Sequence, residues 1–372
     1  MSRLEELIQE LCPNGVEYKP LSDKTLFAFR YGKGNKIPED TGGQYDVYGA
    51  NGIVSHIDEY NCEDVTIIGH IGAVGLINRV KGKCFVTYNG TIATVVDKEK
   101  VDSQYLYYVL TTLDLPSRKK GSQPFLSVSD FDKIAIPVPP LEVQREIVRI
   151  LDSFTLLTTE LKAELTARKK QYEYYRDELL EALHTEGVEY KKLGDIGQVK
   201  MCKRILKSQT NTIGEIPFYK IGTFGGEANS FISKGLYEEY KEKYSYPKIG
   251  EILISAAGTI GRTVVYDGEP AYYQDSNIVW LSHNESDVLN TFLRYCYELK
   301  PWSISSGGTI PRLYNDNILK AKIPVPPIEV QREIVRILDS FTELTGDLTA
   351  ELTARQKQYE FYRDKLLSFK QL

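Results

Sequence analysis

Pro137 to Leu180 reads PVPPLEVQREIVRILDSFTLLTTELKAELTARKKQYEYYRDELL, and Pro324 to Leu367 reads PVPPIEVQREIVRILDSFTELTGDLTAELTARQKQYEFYRDKLL. About 36 of the 44 positions are identical, at an offset of 187 residues (324 − 137). Such likeness between distant segments of one chain marks an internal repeat, and the rest of the sequence is parsed around it. Pro139-Pro140 and Pro326-Pro327 end any preceding strand and leave a proline at a helix start. Ile147, Val148, Ile150 and Leu151 then form a short apolar face. Asp152-Ser153 is a capping pair, so a second helix is expected there after a kink. From Phe154 onward Leu157, Leu161, Leu165, Tyr172, Tyr175 and Leu179 fall at spacings of three, four and seven, a coiled-coil stripe. The 4-4 step at Leu157–Leu161–Leu165 is a stutter that locally unwinds a supercoil.

The likeness reaches upstream, where Gly121, Pro124 and Leu126 match Gly308, Pro311 and Leu313. A second pair of segments, Gly15 to Lys19 and Gly187 to Lys191, both reading GVEYK, matches at an offset of 172 (187 − 15). The second block between repeats is therefore about 15 residues longer than the first, a length assigned to loops. Leu7 to Gly15 also aligns with Leu179 to Gly187, the tail of the central helix. The chain is thus cut within one repeat, and the helix Leu4–Leu11 is expected beside the end of the last helix, closing a ring. Five regions follow: an N-terminal piece 1–20 that completes the last repeat, a variable block 21–132, a conserved helical region 133–192, a second variable block 193–319 and a conserved helical region 320–372. One helical copy must lead away from the first block and the other lead back, so the copies pair antiparallel. The expected fold is α+β: two globular α/β domains joined by a pair of long antiparallel coiled-coil helices, pseudo-twofold and circularly arranged.

Composition is that of a globular protein, and no apolar run suits a membrane span or a signal peptide, so the cytoplasm is expected. The five cysteines, Cys12, Cys62, Cys84, Cys202 and Cys296, have neither disulfide-framework nor zinc spacing. They read as free thiols, buried or half-buried. The formal net charge of −5 argues against nucleic-acid binding unless basic loops are local or partners supply phosphate contacts.

Both variable blocks read as short strands with Gly-rich turns followed by a helix. In the first, strands are expected at 65–69, 75–80, 84–88 and 91–96 and a helix at 103–112. In the second, they fall at 252–255, 262–266 and 277–281, with a helix at 288–299. Gly72-Ala73-Val74-Gly75 and Gly258-Thr259-Ile260-Gly261 each follow a buried strand and form a strand-to-strand turn. No helix follows them, so neither is a dinucleotide fingerprint. Basic residues gather in loops: Arg30, Lys33 and Lys36, then Arg118, Lys119 and Lys120 before Gln123 in the first block. The second has Lys200, Lys203, Arg204 and Lys207, then Arg312 beside Thr309. These clusters suit phosphate contacts. Asn51, Asn89, Gln123, Arg262, Gln274, Asn277 and Arg312 are side-chain types that read purine edges. Taken singly, each is more often a turn former or a solvated residue. Arg145, Glu146 and Arg149, repeated as Arg332, Glu333 and Arg336, form a charged outer face that suits a protein partner or plain solvation.

Neither a Walker A loop nor an Asn/Asp-Pro-Pro-aromatic methyltransferase motif occurs, and His56, His70, His184 and His283 lack ligand spacing. The segment IPVPPLEVQREIV at 136–148, its twin at 323–335, the Gly-x-x-Pro loop before each, and the Thr-Ala-Glu-Leu unit at 349–352 (Lys-Ala-Glu-Leu at 162–165) resemble the specificity subunit of type I restriction–modification systems. The resemblance covers the whole chain in the order variable–conserved–variable–conserved. It implies two target-recognition domains that read the halves of a split double-stranded DNA sequence, with no catalysis by this chain. It implies two methyltransferase subunits docked on the helices, methylating adenine at N6 with S-adenosylmethionine bound to them, and a restriction subunit as a further partner. No cofactor is expected on this chain. Two other classes remain open at this point: a methyltransferase–specificity fusion, and a scaffold binding protein or carbohydrate through its variable domains.

Overall fold

The computed structural model describes residues 2–115, 125–185, 187–304 and 311–372. It divides into two compact units: Met1–Glu164 with Thr349–Leu372, and Leu165–Leu348.

Unit 1 opens with α1 (Arg3–Leu11), capped by Ser2 and Glu5 in a reciprocal capping box. Its sheet has the order β2-β7-β5-β6-β3-β4, from β2 (Phe27–Tyr31), β3 (Tyr45–Gly49), β4 (Gly52–Ile57), β5 (Cys62–Gly69), β6 (Ile77–Val86) and β7 (Gly90–Val95). All neighbours are antiparallel except β3 and β6. Helix α2 (Ser103–Thr111) is capped by Asp102, whose carboxylate accepts from the Gln104 and Tyr105 N–H groups. A short ladder joins β1 (Tyr18–Pro20) to β8 (Ala135–Pro137), just before α3 (Leu141–Thr185) begins. The core gathers Leu4, Leu7, Leu106, Leu110, Ile136, Val143, Ile147, Leu151 and Leu367.

Unit 2 repeats this frame. The order β10-β16-β13-β14, from β10 (Gln198–Met201), β13 (Ile252–Ser255), β14 (Thr263–Val265) and β16 (Ile278–Ser282), reproduces β2-β7-β5-β6 with the same antiparallel pairing. Helix α6 (Asn290–Glu298) stands for α2, and the short helices α4 (Leu193–Ile196) and α7 (Asn315–Lys320) precede and follow it in the chain. The ladder of β9 (Tyr190–Lys192) with β17 (Lys322–Pro324) stands for β1 with β8, and α8 (Ile328–Leu366) stands for α3. Unit 2 adds the small sheet of β11 (Ile216–Tyr219), β12 (Phe231–Ile232) and β15 (Tyr272–Tyr273), and helix α5 (Lys234–Lys243). The extra length of the second block therefore builds a helix as well as loops. Tyr237 anchors α5: Tyr246 packs edge-on against it, and Tyr266 packs edge-on against Tyr246 in turn.

Ring closure is seen within unit 1. The Val16 N–H donates to Lys370 C=O at 2.9 Å, and the Leu372 N–H donates to Val16 C=O at 3.1 Å. The kink expected at Asp152-Ser153 does not occur, because α3 and α8 each run unbroken through that point. The Ser153 hydroxyl bonds back to Ile150 C=O, and Asp152 accepts from the Tyr108 hydroxyl at 2.5 Å. Neither side chain is left to cap a new helix. Ser340 and Asp339 repeat both contacts, with Ile337 and Tyr295.

The joint between each long helix and its unit is a buried glutamine. The Gln144 amide oxygen accepts from the Asp102 N–H (2.9 Å), and its NH2 donates to Lys100 C=O (2.8 Å) and Pro139 C=O (2.7 Å). Gln331 does the same with the Leu289 N–H (2.9 Å), Asp287 C=O (2.7 Å) and Pro326 C=O (2.8 Å). Both side chains are fully buried. Replacing Gln144 by Leu keeps the shape and leaves one buried and two part-buried backbone groups without their side-chain partner. We predict a loss of about 3 kcal/mol or more in unit 1, read as a lower urea midpoint. An unchanged midpoint would show that the amide does not hold the joint.

Candidate nucleic-acid interface

At one end of each sheet the chain makes the same backbone device. The strand β5 turns into β6 through Gly72 (φ +80°) and Gly75 (φ +85°), and β13 into β14 through Gly258 (φ +64°) and Gly261 (φ +77°). These left-handed positions favour glycine. The residue opening each turn is fixed from two sides. The His70 N–H donates to Asn89 C=O, and its own carbonyl accepts from the Leu126 N–H, both at 3.1 Å. In unit 2 the Ala256 N–H donates to Asn277 C=O (2.7 Å), and its carbonyl accepts from the Leu313 N–H (2.9 Å). The segment after each Gly-x-x-Pro loop is thereby stitched to the glycine turn.

The side chains on this common frame differ. In unit 1 the His70 ring lies between Tyr31 (centroids 4.8 Å) and Phe125 (5.6 Å, edge-on), with Nδ1 3.1 Å from the Thr91 hydroxyl. Burial pushes its pKa down. In unit 2 the Arg312 guanidinium donates to Ser276 C=O at 2.8 Å and lies 5.9 Å from the Tyr314 ring. Ser276 holds a positive φ of 55°. Met201, Ser276, Arg312, Tyr314, Asn317 and Lys320 line a polar depression of about 610 Å³.

The residues expected to meet DNA fall into distinct settings. Lys33 is exposed just beyond β2, its N–H bound to Val86 C=O, and Lys36 is exposed further along. Asn51 is exposed in the two-residue turn between β3 and β4. Asn89 and Asn277 are half-buried and serve through their carbonyls, as above. Lys203 is exposed 5.0 Å from the Tyr244 ring, and Lys207 is exposed. Arg204 pairs with Asp275 at 2.9 Å. The Gln274 amide oxygen accepts from the Ile221 N–H at 3.0 Å. The structure brings Arg204, Gln274, Asn277 and Arg312 together around residues 274–277, whereas Arg262 is turned to its own unit's Phe224 C=O at 2.8 Å. Arg118, Lys119, Lys120, Gln123 and Thr309 lie outside the described residues.

On the proposed partner face, Arg145, Arg149, Arg332, Glu333 and Arg336 are exposed and Glu146 is half-buried. Arg149 bridges Glu146 (2.7 Å) and Arg336 bridges Glu333 (2.6 Å), one helical turn apart in each copy. The bonded guanidinium holds each carboxyl below its usual range. Sequence reasoning passed over Gln144 and Gln331, although the same Gln follows each Pro-Pro pair, and it set His70 aside with the other histidines. All five cysteines are free and buried. Among the described residues no group of three His, Cys, Asp or Glu side chains suits a metal ion, and no helix is long and apolar enough to cross a membrane.

The model of the type I restriction modification DNA specificity domain matches residues 25–168 and 185–355, once in each half. The chain belongs to this family. It is 45% identical to a putative type I restriction enzyme specificity subunit of Haemophilus influenzae, over 98% of both chains. It is 32% identical to a type I restriction enzyme specificity subunit of Escherichia coli, over 75% of this chain and 74% of the relative. The fold matches the crystal structure of a specificity subunit from M. genitalium, with a TM-score of 0.63, 16% identity and coverage of 95% of this chain and 97% of the other. As a specificity subunit, the chain recognises a DNA target within a restriction–modification complex, and its role is target choice rather than chemistry.

Exposed lysines and the Arg312 guanidinium should act differently on DNA. We predict that Lys203→Ala and Lys207→Ala weaken binding uniformly across sequences and each lower the salt slope by about one. Arg312→Ala should instead relax one base position, by roughly 5- to 150-fold. Titrations of the assembled complex at several salt concentrations separate the two. Uniform weakening by Arg312→Ala would show it to be a phosphate contact.

Proposed function

We propose that the chain reads a bipartite double-stranded DNA sequence, one half per unit, with the gap between halves set by the continuous helices α3 and α8. It positions two methyltransferase subunits, which hold S-adenosylmethionine and methylate adenine at N6. A restriction subunit joins the same assembly for cleavage. The chain binds no cofactor of its own, and the complex works in the cytoplasm. The observation that carries this reading is the doubled frame with different tips: the same four strands, glycine turn and glutamine joint occur twice, yet one tip is aromatic and the other carries a guanidinium. A frame used twice with different side chains suits two different half-sites. The recurrence of Arg145, Glu146 and Arg149 as Arg332, Glu333 and Arg336 supports two copies of one partner. The negative net charge agrees with partners that share the phosphate contacts.

Exchanging block 21–132 for that of another specificity subunit tests this directly. With the methyltransferase subunit present, methylation mapping across a genome should show one half-site replaced and the other half-site and the gap retained. Loss of both half-sites, or methylation by this chain alone, would overturn the reading.

A further inference from the structure

Unit 1 presents three large, partly exposed apolar side chains around its glycine turn. Ile71 and Phe125 face each other in an antiparallel bridge. Tyr31 joins them through the buried His70 ring that both aromatics touch. Exposure is 43% for Ile71, 40% for Phe125 and 42% for Tyr31. The Tyr31 hydroxyl accepts from the Val128 N–H at 3.1 Å, so the ring is tied in place. Exposing such a patch on a rigid frame is unfavourable unless something covers it.

The repeat indicates what covers it. Phe125 occupies the position that Arg312 holds in unit 2 (312 − 125 = 187, the repeat offset), and the next residues, Leu126 and Leu313, make the same hydrogen bond to the glycine turn. The frame is held constant while its outward side chains change from aromatic to cationic. In a DNA specificity subunit that is the pattern of a reading position. Exposed Lys33, two residues after Tyr31, adds positive charge at this edge.

We propose that Phe125 and Ile71, backed by His70 and Tyr31, form the base-reading surface of unit 1 and recognise a thymine by its 5-methyl group in the major groove. Among base edges in that groove, the thymine methyl is the apolar feature, and apolar side chains are its natural partners. An intercalating wedge would need a ring that projects between base steps. Phe125 is instead more than half buried and braced edge-on against His70, so it offers a surface to lie against. This inference rests on the reading that each unit addresses one half-site.

Replacing thymine by uracil removes only the methyl group, which makes the test specific. The probe is the complex of this chain with its methyltransferase subunits, bound to duplexes carrying the mapped target, with uracil placed at each thymine of the unit 1 half-site on either strand. At one or more positions uracil should weaken binding about three- to five-fold, the worth of one buried methyl group. In Phe125→Ala and Ile71→Ala complexes, thymine and uracil duplexes should bind alike at that position, while uracil effects in the other half-site persist. The wild-type comparison stands even where a variant folds poorly. A half-site with no thymine, uracil neutral at every position, or an equal loss on thymine and uracil duplexes in both variants would overturn the inference. If the complex binds no sequence specifically, it is the bipartite reading that fails. If specific binding remains and uracil is neutral, the thymine contact alone fails.

Discussion

Each long helix starts where a buried glutamine amide closes the gap between the helix and the α/β portion of its unit. Its three hydrogen bonds pair backbone groups from two separate segments: the loop before α2 or α6, and the Pro-Pro entry to the helix. A proline pair cannot donate to those carbonyls, and the backbone there cannot enter the helical ladder. Without the amide, three polar groups, one of them buried and two part-buried, would lose their partner, at a cost comparable to a sizeable part of a domain's net stability. The geometry also fixes direction. An amide with both ends engaged tolerates little rotation, so the helix leaves each unit at a defined angle.

The tyrosine–carboxylate contact about two turns further on adds a second fixed point. Tyr108 to Asp152 and Tyr295 to Asp339 bind α2 and α6 to the long helices at equivalent places. Two anchors define a rigid joint where one would permit a swivel. Rigidity at the joint permits variation at the other end, where the glycine turns and the residues stitched to them carry unlike side chains on like backbones. The contacts of the joint and the unlike side chains of the tips thus occupy different parts of each unit. A change of tip leaves the joint intact, and a change of joint disturbs everything beyond it.

Much of this was legible in the sequence. The repeat, the ring closure and the turn at Gly72–Gly75 followed from self-similarity and glycine placement, since both depend on local chemistry. The kink at Asp152-Ser153 was misread. Ser and Asp are good caps in isolation, but the Tyr108 hydroxyl claims the carboxylate and the helix backbone claims the serine. Helix α5 was missed because one buried tyrosine among lysines and glutamates leaves little apolar periodicity, and part of its support comes from Tyr272, distant in sequence. The candidate site was legible by residue type only. Nothing local distinguishes Arg262, bonded to Phe224 C=O, from Arg312, which bonds Ser276 C=O and also lines an open depression. His70 gained meaning only when folding placed Tyr31 and Phe125 on either side of it.

The central claim is that rigid joints let helix length set the distance between half-sites. Its most direct test is to lengthen both helices equally, inserting Ala-Glu-Leu-Thr after Leu165 and again after the equivalent Leu352, and to map methylated sites in cells carrying the altered complex. Four residues add about 6 Å of helix, and one base pair occupies about 3.4 Å. The account predicts both half-sites unchanged and a gap longer by about one or two base pairs. Full methylation at the original gap would contradict it, because the helices would then tether the units without measuring anything.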